Sequence, residues 1–215
     1  MSLPILYSLR QCPYAMRARI GVLLAKQTVI LRDIVMTNIP QEMFLASAKG
    51  EVPVLVFEDS SVIDESLDIM VWALKQTDPN NLLYNHQADA YDEMLRLIKR
   101  NDIDFVNALK KYKTASRYHD KNERDYRQEC EVFVGELEKR LTIHDYFFGE
   151  TASLADYAIL PFIRQFSRVD KKWYLQAPYS NIRKWLEKHY QNPLFSKAMK
   201  KYPQWLDENK EIIFG

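Results

Sequence analysis

Cysteine is scarce in this chain, with two among 215 residues, Cys12 and Cys130. A structural disulfide between them would be unusual in a reducing compartment, and none is assigned. Long apolar runs are missing too. None approaches the roughly 20 residues that a membrane helix needs. The opening Met1 to Tyr7 is apolar, but it is too short for a signal-peptide core and has no basic lead and no small-residue cleavage site. A cytoplasmic protein is expected. Charge of one sign is also lacking: the formal net charge is +1, which gives neither a nucleic-acid footprint nor an electrostatic membrane anchor. The local clusters Lys171-Lys172 and Lys200-Lys201 sit beside acidic or aromatic residues and read as solvated helix faces. The four histidines, His86, His119, His144 and His189, share no ligand spacing with one another or with the cysteines, so no metal site is expected.

What is present is core material. Hydrophobic residues make up 47% of the chain and charged residues 27%, the ordinary soluble globular mix. The length suits one large domain or two small ones.

The pattern along the chain separates two halves. Residues 3–9 form a short apolar run consistent with a buried strand. Residues 13–26 carry apolar groups near helical spacing, and Pro13 suits a first helical turn, where its missing N–H is unpaired anyway. Residues 28–35 are β-branched and read as a second strand. A short helix is expected after Pro40. Val52 to Phe57 and Ser61 to Ile63 read as a hairpin around Glu58-Asp59-Ser60. Residues 66–75 return to helical spacing. The order β-α-β-α-β-β-α, with a right-handed crossover between the first two strands, is that of a thioredoxin-like α/β domain over residues 1–76. Turn residues at 77–84 mark a linker. An all-helical (all-α) C-terminal domain is expected over 85–215, with long helices in 86–112 and 121–142 and shorter ones in 180–190 and 193–201. Ser153 and Asp156 form a variant capping box before the apolar run that starts at Tyr157.

Cys12-Pro13-Tyr14-Ala15 is the most informative stretch, because it lies where the first strand meets the first helix. A thiol there faces unpaired backbone N–H groups and the positive end of the helix dipole, and both favour the thiolate, which is the nucleophile. Arg10, Arg17 and Arg19 could add positive potential. An isolated cysteine is more often an inert core residue. The following proline, the strand-to-helix position and the order of elements favour a reactive thiol here. Ala15 stands where many redox motifs carry a second cysteine, so no resolving thiol is local. Cys130 reads as core filling.

The stretch Leu6 to Arg19 resembles the first strand and helix of omega-like glutathione transferases and two-domain glutaredoxins. Val52-Pro53-Val54-Leu55 resembles the cis-proline segment of the same proteins, and Ile63-Asp64-Glu65-Ser66 their strand-to-helix turn. Standing alone, Glu65-Ser66 reads more simply as a helix cap. The resemblance implies a glutathione transferase fold, glutathione as co-substrate without a metal, and a homodimer. It implies Cys12 as the catalytic thiol, with Pro13 and Tyr14 beside it. Val52 and Pro53 would pair with the cysteinyl unit of glutathione. Glu65 and Ser66 would hold its γ-glutamyl group. At the position where omega-like enzymes place a lysine for the glycyl end, this chain has Ile39, with Lys49 nearby.

The activity implied is glutathione-dependent thiol transfer or reduction through a Cys12–glutathione mixed disulfide, with an unidentified small-molecule or disulfide co-substrate. Conjugation of glutathione to electrophiles, with Tyr7 or Ser8 holding the thiolate, is the alternative. A non-catalytic interaction protein of the same fold is another. Tyr112, Phe166 and Trp173 could wall a co-substrate pocket, although aromatics at helical spacing are more often core.

Overall fold

The computed structural model describes residues 2–84, 87 and 89–215. It divides into two compact units, one holding the chain up to Asn80 together with 192–215, the other Asn81–Gln191. The expected helical start at residue 86, and His86 itself, lie outside the described residues.

The first unit begins with β1 (Ile5–Ser8), α1 (Pro13–Leu24), β2 (Val29–Asp33), α2 (Gln41–Ala46), β3 (Val54–Val56), β4 (Val62–Ile63) and α3 (Ser66–Gln76). β1 and β2 are parallel, with Leu6 opposite Leu31. β3 runs antiparallel to β1, and β4 antiparallel to β3. Alternation along each strand sorts the side chains into two layers. Leu6, Leu31, Leu55 and Val29 face Ala18 and Val22 of α1 and Ile69 of α3. Tyr7 and Val54 on the opposite face pack with Met43 of α2, Val52 and Cys12. The two helices of the first layer touch closely. A Cβ added to Gly21 would stand 2.7 Å from the Cα of Met70, so only glycine fits there.

The second unit is helical. It comprises α4 (Ala90–Arg100), a π-helical turn (Asn101–Phe105), α5 (Val106–Tyr118), α6 (Glu123–Arg140), α7 (Leu154–Phe166), α8 (Lys171–Gln176) and α9 (Ser180–Gln191). The long helix read at 86–112 is thus α4 and α5 joined through the π turn. Tyr112 and Phe166 are core residues with ring centroids 6.0 Å apart, and Phe166 meets Trp173 at 5.9 Å. Cys130 on α6 is fully buried, and burial pushes its thiol up to about 12.

His189 on α9 is buried against the rings of Trp185 and Tyr157, at 4.7 and 5.1 Å. Burial first, and neighbouring Lys188 second, pull it down to about 4. The native state therefore keeps this imidazole neutral while the unfolded chain, near 6.5, takes up a proton. Stability is full above pH 6.5 and falls as the pH drops toward 4, by roughly 3 kcal/mol at about 1.4 kcal/mol per pH unit. Urea unfolding at pH 7 and pH 4.5 should show the loss in wild type and a flatter profile in His189→Phe. An equal loss in both would remove His189 as its source.

After Gln191 the chain returns to the first unit with α10 (Pro193–Ala198), α11 (Trp205–Glu208) and β5 (Ile212–Phe214). This corrects the expected all-helical stretch over 85–215, since its last segment is part of the α/β unit. β5 pairs antiparallel with β2, giving a five-stranded sheet of order β4-β3-β1-β2-β5. Without it β2 would be an edge, with unpaired N–H and C=O groups open to other chains. Phe214 adds a buried side chain to the layer that holds Leu31, a contribution of about 1.5–3 kcal/mol.

Candidate active site

Cys12 is the N-cap of α1, in extended backbone, with Pro13 in the first turn. Its N–H donates to Leu9 O at 3.0 Å, and its carbonyl accepts from Met16 N at 2.9 Å. The backbone thus fixes residue 12 at the mouth of the helix, where first-turn N–H groups favour an anion. The thiol is half-buried, and Sγ lies 3.9 Å from the carbonyl oxygen of Val52. The Val52–Pro53 bond is cis, the geometry the resemblance implied, and Gly50 turns the chain just before it with φ of 60°. Residues forty positions apart thereby meet at one sulfur.

Glu65 and Ser66 open α3 as its N-cap and first residue. Ser66 is buried, and its Oγ accepts from Nη1 of Arg17 at 3.3 Å. That bond leaves the Ser66 hydroxyl hydrogen available for donation. Arg17 lies on α1, so the two helices that carry the site residues are tied together. Glu65 is exposed and accepts from Nζ of Lys49 at 2.6 Å. Lys49 also reaches Asp64 at 3.1 Å, and Asp64 accepts from Ser47 Oγ at 2.8 Å. The Ser47 bond is the main reason that the Asp64 carboxyl sits below its ordinary range.

Of the expected residues, Cys12 and Val52 are in contact, with Pro13 and Pro53 the next residues along. Tyr14 is half-buried in the first turn of α1. Two of the arginines read as sources of potential at Cys12 are buried and engaged elsewhere. Arg17 holds Ser66, while Arg19 pairs with Asp33 at 2.5 Å and donates to Ser8 Oγ at 2.7 Å. Ser8 Oγ thus accepts from Arg19 beside the buried Arg19–Asp33 pair. Tyr7 is buried, and its hydroxyl accepts from Arg32 at 2.7 Å. Burial raises its phenol above the ordinary range, which keeps it neutral. Lys49, the nearby alternative for the glycyl end, pairs instead with Asp64 and Glu65; that pairing and the Arg17–Ser66 bond were missed from sequence. Adjacent Asp64 and Glu65 signal a nearby cation, but not which one.

Two family models match the chain: "Glutathione S-transferase, N-terminal domain" over residues 6–81 and "Glutathione S-transferase, C-terminal domain" over residues 123–188. The chain belongs to the glutathione transferase superfamily. Among curated protein sequences none matches it. Solved structures share the fold at low identity. A glutathione transferase family member from Pseudomonas fluorescens, with two glutathione bound, has a TM-score of 0.80 at 16% identity, covering 92% of each chain. Glutathione S-transferase-I bound with lactoylglutathione gives 0.78 at 19%, covering 92% of this chain and 99% of that one. A Phanerochaete chrysosporium glutathione transferase in complex with oxidized glutathione gives 0.78 at 17%, covering 92% and 94%. No helix among the described residues is long and apolar enough to cross a membrane.

Proposed function

We propose that this protein is an omega-like, glutathione-dependent thiol transferase that works through Cys12. The observation that carries the reading is the placement of Cys12 at the mouth of α1, its sulfur 3.9 Å from the carbonyl that precedes the cis-proline. Glutathione would lie against this carbonyl with its sulfur at Cys12. Its γ-glutamyl carboxylate would meet the first-turn N–H groups and hydroxyl of Ser66, and its ammonium would meet Glu65. Binding of glutathione and its derivatives by structural neighbours supports the choice of ligand.

The reaction is thiol–disulfide exchange with one protein thiol. The Cys12 thiolate attacks the glutathione sulfur of a mixed disulfide R–S–SG. A Cys12–SG bond forms, the S–S bond between R–S and SG breaks, and R–S⁻ leaves and takes a proton. A glutathione thiolate then attacks the glutathione sulfur of Cys12–SG, and the Cys12–SG bond breaks. Oxidised glutathione leaves and the Cys12 thiolate is restored. Cys130 is buried in the other unit with its thiol pushed up to about 12, which supports a cycle without a resolving cysteine. A homodimer acting in the cytoplasm, with no nucleic-acid or membrane partner, completes the reading on grounds of family membership.

Conjugation to electrophiles is the second reading. It is favoured by one observation, the buried Tyr7 side chain, which packs in the same cluster as Cys12 and whose phenol is kept neutral by burial. Glutathione-dependent reduction of a small mixed disulfide should fall to the uncatalysed rate in Cys12→Ser. If conjugation alone is found, and it survives the substitution, the second reading replaces the first. Absence of both activities, with no glutathione binding at millimolar concentration, would leave a non-catalytic interaction protein.

A further inference from the structure

Lys49 pairs with Glu65, the carboxylate that the proposed function assigns to the ligand's ammonium group. Its Nζ stands 2.6 Å from Glu65 Oε1 and 3.1 Å from Asp64 Oδ1. The two carboxylates are not equivalent. Asp64 has a second partner in Ser47 Oγ at 2.8 Å and keeps its charge well supported. Glu65 is more exposed, and its bond to Lys49 is the shorter one. Lys49 itself is about half-exposed, at 49%, so its stem has room to swing.

We propose that Lys49 is an internal occupant of the ammonium subsite on Glu65, displaced when an amino-acid ligand binds. This rests on the assignment of Glu65 and Ser66 to the γ-glutamyl group. The incoming α-ammonium takes the Glu65 carboxylate, and Lys49 withdraws to Asp64. Two carboxylates then serve two cations, so displacement leaves no charge unpaired. A ligand whose amine is blocked has no cation to offer Glu65, and Lys49 stays in place. Lys49 thus sets specificity. It weakens ligands that carry a free α-ammonium, leaves blocked ones untouched, and narrows the gap between them.

Calorimetric titration of glutathione and of N-acetylglutathione into wild type, Lys49→Met and Glu65→Gln separates the possibilities. Lys49→Met should bind glutathione about two- to fivefold more tightly, the range of an exposed ion pair that no longer has to be broken. N-acetylglutathione should show no such gain, so the ratio of the two affinities widens. Weaker binding of both ligands in Lys49→Met, or an unchanged ratio, overturns the proposal while the Glu65 assignment stands. If instead Glu65→Gln binds glutathione as tightly as wild type, that assignment fails and the proposal falls with it.

Discussion

Asp156→Ala should lower the thermal midpoint by about 8–16 °C. Asp156 is fully buried in α7, at the third position after the Ser153 N-cap. One carboxylate oxygen accepts from Phe147 N at 3.1 Å and Trp185 Nε1 at 2.9 Å. The other accepts from Ser153 N at 2.9 Å and Ser153 Oγ at 2.6 Å. Burial pushes this carboxyl above its ordinary range, and the four bonds oppose that push. The donors decide the outcome. Of the four, only the serine hydroxyl can reverse its role, and the other three are obligate donors that need an acceptor. Alanine leaves those three N–H groups buried without a partner, at about 1–3 kcal/mol each. Even partial relaxation leaves roughly 4 kcal/mol out of a total stability of about 5–15 kcal/mol, and each kcal/mol moves the midpoint by about 2–4 °C at this size. Asp156→Asn keeps the shape and one acceptor oxygen, so it should fall between alanine and wild type. A midpoint within about 2 °C of wild type in Asp156→Ala would mean that the three donors find other partners.

This capping arrangement was only half legible in the sequence. Ser153 and Asp156 mark a helix start by their spacing, and α7 begins at Leu154 as that spacing requires. Nothing in the sequence says that Asp156 also ties down Phe147 and Trp185, because those contacts exist only once the segment before α7 and α9 have packed. The same division runs through the first unit. The apolar run at residues 3–9, the β-branched run at 28–35 and the hairpin at 52–63 declare the first four strands. β5 is only Ile212–Phe214, at the end of a charged tail, and Ile213 is exposed. A run that short has no periodicity of its own. Its identity as a strand comes from the free edge of β2.

The site follows the same logic. Cys12, Pro13 and the Val52-Pro53 pair stand out because each breaks a local pattern, a thiol and a proline at a strand end and a proline within an apolar run. Lys49 stands out only as a cation near the glycyl end; its pairing with Glu65 does not, since an exposed lysine in a loop is ordinary until its partners are known. The arginines of α1 mislead for a related reason. Every residue from Ala15 to Val22 is buried, so α1 has no solvent face on which a cation could stay free, and charge inside it must be paired.

That pairing leads to the second large effect. Arg19→Met should destabilise the protein by about 3–5 kcal/mol, the usual result of stripping one partner from a buried ion pair. Arg19 is fully buried, while the Asp33 side chain is 10% exposed. Burial draws the guanidinium down and the carboxyl up, and each charge is what keeps the other ionised. The guanidinium also binds Ser8 Oγ at 2.7 Å and reaches the Ala198 carbonyl at 3.5 Å. One side chain on α1 thereby holds the ends of β1 and β2 and the returning helix α10. Removing the charge while keeping the bulk leaves Asp33 buried against methionine. The double variant Arg19→Met with Asp33→Leu should recover much of the loss, because an apolar pair of similar volume no longer carries a buried charge. Urea unfolding of the wild type, both single variants and the double variant forms a complete cycle. Strictly additive losses would show that the two groups act independently and that α1 is held by apolar packing alone. Recovery in the double variant would locate the cost of the single substitution in the stranded carboxylate.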